Sequence, residues 1–185
     1  MIAAENPQPA TPGPRLILIG GPPGVGKSTV AKQLLGMYPQ SVWLDGDALW
    51  NMNPFRVDDS TIEMVQDNIV YVLGRFMRER FPTIIFSWVM HRQEIIDGIW
   101  ARLGTDQAYA LFSYTLVCEA QTLAQHFVDD PQRGQVTALA LERLSQCQDK
   151  ALRTTKLQIE GSTPEQLAES IATLSGMCPV NHRAR

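Results

Sequence analysis

The sequence predicts an α/β fold in three layers, with a five-stranded parallel sheet between two sets of helices. Three observations predict it. Short apolar or β-branched runs alternate five times with segments of helical periodicity, as strand–crossover–strand units do. The first strand is an apolar run short enough, and flanked suitably, for a sheet buried on both faces. It leads through a glycine-rich turn directly into a helix, and no repeat or linker splits the chain. With 185 residues, 44% hydrophobic and 19% charged, the chain supports one core and is too short for two ordinary domains.

The elements follow in order. Residues 16–19 form the first strand, ending in Gly20-Gly21. Residues 28–37 read as a helix with Val30, Leu34 and Met37 on one face, stopped by Pro39. Residues 41–45 are the second strand, broken by Gly46, and a loop over 51–57 contains Pro54. Ser60 and Glu63 have capping-box spacing, so a long helix follows, its stripe being Ile62, Val65, Ile69, Val72 and Phe76, up to Pro82. Residues 83–89 form the third strand, and 91–103 a helix with Ile95, Ile99 and Leu103 inward. The fourth strand covers 110–118. Residues 119–128 and 137–152 are helical, on either side of the polar segment 129–134. A fifth strand at 155–159 precedes Thr163-Pro164, which with Gln166 opens the last helix.

Composition narrows the function classes. A net charge of -3 and a pI near 5.6 provide no global basic field for nucleic acid or an anionic membrane. No apolar run reaches the roughly 18–20 residues of a membrane span. Prolines 7, 9, 12 and 14 mark residues 1–14 as a disordered leader before a single domain over 15–177, with a tail over 178–185. Cys118, Cys147 and Cys178 are odd in number, widely spaced and without a Cys-x-x-Cys pair. That fits a reducing cytoplasm rather than a disulfide framework or zinc site, with Cys118 a core residue. The three histidines have no paired spacing that would make a metal site.

The strongest motif is Gly21-Pro22-Pro23-Gly24-Val25-Gly26-Lys27-Ser28, a full Gly-x-x-x-x-Gly-Lys-[Ser/Thr] between a predicted strand and a predicted helix. Its glycines let peptide N–H groups approach phosphate oxygens, and the helix beginning near Lys27 turns its positive end toward them. Lys27 supplies a point charge for the terminal phosphates, and Ser28 a hydroxyl ligand for Mg²⁺. The expected ligands are therefore ATP and Mg²⁺, with Thr29 completing the loop's nucleotide-binding set.

Asp45-Gly46-Asp47 ends the second strand, on the carboxyl edge where open α/β sheets bind ligands. If Gly46 kinks the chain, one carboxylate can hold a magnesium-bound water while the other accepts a proton from an attacking hydroxyl. The alternative is a turn that caps the next segment.

The phosphate loop, the Leu-Asp-Gly-Asp after strand two, the third strand and Glu142-Arg143-Leu144 together resemble the small P-loop kinases: shikimate, gluconate, adenylylsulfate and nucleoside monophosphate kinases. The phrases from Leu44 to Phe55 and from Ile84 to His91 look like a nucleotide-kinase-like bacterial branch close to the tunicamycin-resistance type of ATP-binding protein. The resemblance covers roughly residues 15–174 and implies a P-loop NTPase sheet of order 2-3-1-4-5 with a short lid. It also implies that Asp45 orients the magnesium shell through water and that Asp47 touches acceptor and metal, as the base. Arg133 matches a lid arginine over the phosphates, and Arg143 a group holding an acid or the transferring phosphoryl. Two departures stand out. The third strand lacks an aspartate and has Ser87 in its place, followed by Trp88-Val89-Met90 rather than a glycine run, which argues against shikimate as acceptor. Ser145-Gln146-Cys147 replace the proline and tyrosine expected after Arg143.

Several further residues have two readings each. Trp88 stacks on an acceptor or packs in the core. His91 bonds an acceptor hydroxyl or caps a helix. Arg56 binds the acceptor or is a solvated loop residue. Gly161 and Ser162 sit beside the adenine ring or form a strand–helix turn. Trp43 and Trp50 read as packing residues, and Arg75, Arg78 and Arg80 as surface charge. The leading expectation is an ATP-dependent phosphotransferase acting on a small-molecule acceptor, as a monomer or homodimer. A nucleotide-dependent resistance or sequestration protein and a regulatory ATPase remain as alternatives.

Overall fold

The computed structural model describes residues 13–104 and 108–176, so most of the expected leader, the tail and Cys178 lie outside the described residues. Five strands are present: β1 (Arg15–Gly20), β2 (Ser41–Asp45), β3 (Thr83–Ser87), β4 (Ala110–Val117) and β5 (Thr155–Gln158). The helices are α1 (Lys27–Met37), α2 (Asp59–Arg78), α3 (Gln93–Leu103), α4 (Ala120–Asp129), α5 (Ala138–Gln148) and α6 (Pro164–Leu174). All strand pairs are parallel and the order is β2-β3-β1-β4-β5, as the resemblance implied.

The middle strand explains the layers. Leu16, Ile17, Leu18 and Ile19 are all buried, and alternate residues of a strand face opposite sides. Ile17 and Ile19 join one core with Val30 and Leu34 of α1, Leu123 and Phe127 of α4, Leu144 of α5 and Ile171 of α6. Leu16 and Leu18 join a second core with Val65, Ile69 and Leu73 of α2 and Ile96 and Ile99 of α3. A continuous apolar strand is thus sandwiched, which fixes its register on both faces.

Several expectations need correction. The α2 N-cap is Asp58, not Ser60. Its Oδ1 accepts from the Thr61 N–H at 2.8 Å while Thr61 Oγ1 accepts from the Asp58 N–H at 2.9 Å. The buried stripe is Thr61, Val65, Ile69, Leu73 and Met77, each four residues on; Ile62 is 36% exposed at its margin. Helix α3 buries Ile96 and Ile99, with Ile95 and Leu103 only packed against the core. Strand β3 ends at Ser87 and α5 at Gln148, short of the expected bounds, and a 3-10 turn over Gly46–Trp50 was not expected. The last helix begins as expected: Thr163 Oγ1 accepts from Gln166 N–H, and Gln166 Oε1 from Thr163 N–H. Among the described residues no helix is long and apolar enough to cross a membrane.

The observed α2 stripe is directly testable. Leu73→Ala removes a fully buried side chain and should lower stability by about 2–5 kcal/mol. Tyr71→Ala, on the solvent side, should stay within about 0.5 kcal/mol. Urea unfolding of both variants checks the difference; equal losses would contradict the stripe.

Candidate nucleotide and acceptor site

The site grows from the carboxyl ends of β1, β2 and β3. Beyond β1 the loop curls until Gly26, at φ 102°, caps α1, and Lys27 begins the helix. Gly24 is held from outside the loop. It has φ +82°, and a Cβ there would lie 2.5 Å from the Phe127 ring of α4, so only glycine lets that ring close under the turn. The neighbouring His126 has Nδ1 3.1 Å from the Gly24 carbonyl oxygen. A carbonyl can only accept, so Nδ1 carries the proton. Neither α4 residue was singled out from sequence. Local periodicity gives no sign of a contact spanning 102 positions.

Lys27 is 7% exposed, and its Nζ donates to the Pro22 carbonyl at 3.0 Å. Burial lowers the pKa of its ammonium, while Asp47 and Asp45 favour the charged form. Ser28 Oγ donates to Asp45 Oδ2 at 2.8 Å, and Asp45 Oδ1 accepts from the Asp47 N–H at 3.1 Å. One carboxylate therefore ties the start of α1 to the turn after β2. Gly46 is required here, since a Cβ would meet the Trp88 ring at 2.6 Å. Trp88 lies across that turn, and Asp47 emerges beside it, exposed in the open cleft. The surrounding walls still raise the Asp47 carboxyl above the usual range by desolvation, against the attraction of Lys27. Ser87 is fully buried and accepts from Trp43 Nε1–H at 2.9 Å, which locks the ends of β2 and β3 together.

Two cavities of about 620 Å³ each flank the loop. Gly24, Gly26 and Thr29 line the first together with Gly161 and Ser162. Pro23 and Asp47 line the second together with Trp88, His91 and Arg143. Arg143 donates to Gln146 Oε1 at 2.9 Å and so stands on the second cavity's wall. Arg133 binds Asp130 at 2.8 Å and lies 5.6 Å from the Phe127 ring centroid; its charge is felt at both Lys27 and Asp47. Arg56 is not brought in. It is exposed, 4.0 Å from Asp58, and outside both cavity linings, whereas its neighbours Phe55 and Val57 line the second.

The residues present fit a bound nucleotide with a divalent cation. A buried ammonium sits inside a loop of peptide groups at a helix N-terminus, and a hydroxyl–carboxylate pair of the kind that holds a hydrated Mg²⁺ lies next to it.

His91 is only 7% exposed, with Nδ1 3.4 Å from the Val89 carbonyl oxygen and, among the described residues, no partner for Nε2. Burial, followed by the charge of Arg143, lowers its pKa to about 4. The unfolded chain, titrating near 6.5, thus binds a proton that the fold rejects. This contribution is complete above pH 6.5 and is lost as pH falls toward 4. Between pH 7.5 and 4.5 the native protein should lose about 1–3 kcal/mol more stability than His91→Gln. Urea unfolding midpoints at the two pH values check this, and parallel losses would contradict a buried neutral imidazole.

Comparison with known proteins agrees with this fold. No curated protein matches the sequence. Among solved structures, the Deinococcus radiodurans tunicamycin resistance protein aligns over 90% of this chain and 98% of its own, with TM-score 0.71 and 23% identity. A sugar kinase from Janibacter aligns over 90% and 96%, with TM-score 0.68 and 16% identity. A gluconokinase from Sinorhizobium meliloti aligns over 90% and 96%, with TM-score 0.64 and 17% identity. These likenesses establish a P-loop kinase-like fold. The family model described as an AAA domain matches residues 17–149, from β1 through α5 and including the whole phosphate loop, so the chain belongs to the AAA-domain family, in its small, P-loop kinase-like form.

Proposed function

We propose that this protein is an ATP- and Mg²⁺-dependent phosphotransferase that moves the γ-phosphoryl group of ATP to a hydroxyl or phosphate of a small metabolite. The observation that carries this reading is the meeting of two cavities at one loop, with Lys27 inside it and Asp47 on the lining of the second cavity. The peptide N–H groups of residues 24–28 and the Lys27 ammonium bind the β- and γ-phosphates. Thr29, Gly161 and Ser162 border the space for nucleoside and base. Ser28 and, through water, Asp45 hold Mg²⁺, which when bound neutralises phosphate charge.

On the acceptor side Asp47 takes the proton of the attacking hydroxyl as its oxygen bonds to the γ-phosphorus and the bond to the bridging oxygen breaks, releasing ADP. A carboxyl raised above its ordinary range is a better base for that proton than a free aspartate. Arg133, on the segment after α4, supplies charge over the phosphates, and Arg143 holds an acidic group of the acceptor. Trp88 and His91 form that pocket's floor. A second reading, nucleotide-dependent binding without transfer, is favoured by Ser87, whose hydroxyl is taken by Trp43 where related kinases have a magnesium carboxylate.

Two variants separate the readings. Lys27→Ala should abolish the thermal stabilisation that Mg²⁺ and a non-hydrolysable ATP analogue confer; an unchanged shift would refute the phosphate site. Asp47→Asn should keep that shift and lose at least 100-fold in acceptor phosphorylation, read as a phosphoryl mass increment. Retained transfer would remove Asp47 as the base.

A further inference from the structure

The second cavity is built unlike a pocket for a sugar acid or a nucleoside monophosphate. Its walls are mostly apolar: Trp50, Phe55, Val57, Ile62, Trp88 and Leu139. Phe55 and Leu139, both on its lining, are 67% and 55% exposed, one on the loop before α2 and the other on α5. Trp50 and Phe55 stand with ring centroids 6.3 Å apart, forming an aromatic flank. Apolar side chains left open to water beside a candidate catalytic carboxylate mark a ligand surface rather than a solvated loop.

The charged groups are few. Asp47 is the only carboxylate among the lining residues, and the cations are Arg143, already bonded to Gln146, and the exposed Arg92. Polyanion recognition requires a cluster of convergent arginine forks, and this lining has none to match a dianion. His91 is neutral, more than nine-tenths buried, and carries a ring nitrogen without a partner among the described residues. With Nδ1 turned to the Val89 carbonyl, Nε2 is the acceptor of the neutral ring. Nε2 itself is sealed from the cavity, with less than 1 Å² of accessible surface, so a ligand hydroxyl meets the Asp47 carboxylate rather than the imidazole.

We propose that the acceptor is a hydroxyl-bearing small molecule with a predominantly apolar body and at most one anionic group. The claim rests on the phosphotransferase reading for the attacking hydroxyl, which lies at Asp47. The shared chemistry, a polar hydroxylated head on an apolar body, can come from an aryl or an alkyl compound.

The test uses the full chain with Mg²⁺ and a non-hydrolysable ATP analogue, and glucosides that differ only in the apolar body. Affinities for 4-nitrophenyl β-glucoside and for octyl β-glucoside below its micelle concentration are compared with those for glucose, gluconate and uridine monophosphate. At least one glucoside should bind tenfold or more tightly than all three polar compounds, and which one does distinguishes an aryl from an alkyl body. Phe55→Ser/Leu139→Ser should weaken that binding at least fivefold while leaving the nucleotide-induced thermal shift unchanged. A polar compound binding as tightly as the glucosides, or no binding by any glucoside, overturns the inference. The mass increment with ATP itself keeps the two readings apart. A tightly bound glucoside that gains no phosphoryl group leaves the acceptor class standing and removes the transferase. Preferred phosphorylation of gluconate does the reverse.

Discussion

The structure is organised around one buried cation. Taking an ammonium out of water costs several kcal/mol unless its donors are met, and Lys27 is given the Pro22 carbonyl and the nearby carboxylates of Asp45 and Asp47 in compensation. Neither carboxylate forms a direct ion pair with it. The ammonium therefore remains available to an anion entering the loop, and the loop's shape is set in advance. Phe127 fills the space under Gly24, His126 holds the Gly24 carbonyl, and Ser28 is fastened to Asp45. A phosphate chain binding there has little ordering cost left to meet.

The sheet order puts this loop between the two cavities. β1 lies between β3 and β4, so the chain leaves the middle strand and crosses in opposite directions on the two sides. The crevice at such a switch point opens at the carboxyl ends of the strands. One cavity lies toward α4 and α6, bordered by Gly161 and Pro164; the other lies toward α2 and α5, bordered by Ile62 and Leu139. The loop is the wall they share. The two sides differ in chemistry: carboxylates and hydroxyls on the first, aromatic and aliphatic side chains on the second.

What could be read from sequence was what lies close together in it. Eight consecutive residues spell the phosphate loop, and Asp45-Gly46-Asp47 follows a strand whose end is marked by its own glycine. The alternation of apolar runs and helical periodicity was enough for five strands and six helices. Helix α2 was read correctly at Val65 and Ile69 and missed toward its ends, where Ile62, Val72 and Phe76 were expected inward and Thr61, Leu73 and Met77 are buried. At its start two overlapping capping patterns compete, Asp58–Thr61 and Ser60–Glu63. The one that forms puts a threonine on the buried face, its hydroxyl bonded to the Asp58 and Arg56 carbonyl oxygens. Ile62 then moves to the rim of the acceptor cavity, where an isoleucine in a periodic run had looked like core. Placements that join distant segments left no local signal: Phe127 under Gly24, and Leu139 on the same cavity lining as Phe55. Arg56 had two readings, acceptor contact or solvated loop residue, and it is exposed while its apolar neighbours Phe55 and Val57 line the second cavity.

If the loop is shaped beforehand around a polyphosphate, its peptide N–H groups should become protected when one binds while the rest of the sheet edge changes little. Amide hydrogen exchange over residues 21–29, with and without Mg²⁺ and a non-hydrolysable ATP analogue, measures this most directly. Exchange slowed at least tenfold across Gly24–Thr29, with β5 unaffected, is the predicted result. Unchanged exchange in the loop, or protection confined to the apolar cavity, would contradict the nucleotide site on which the whole account stands.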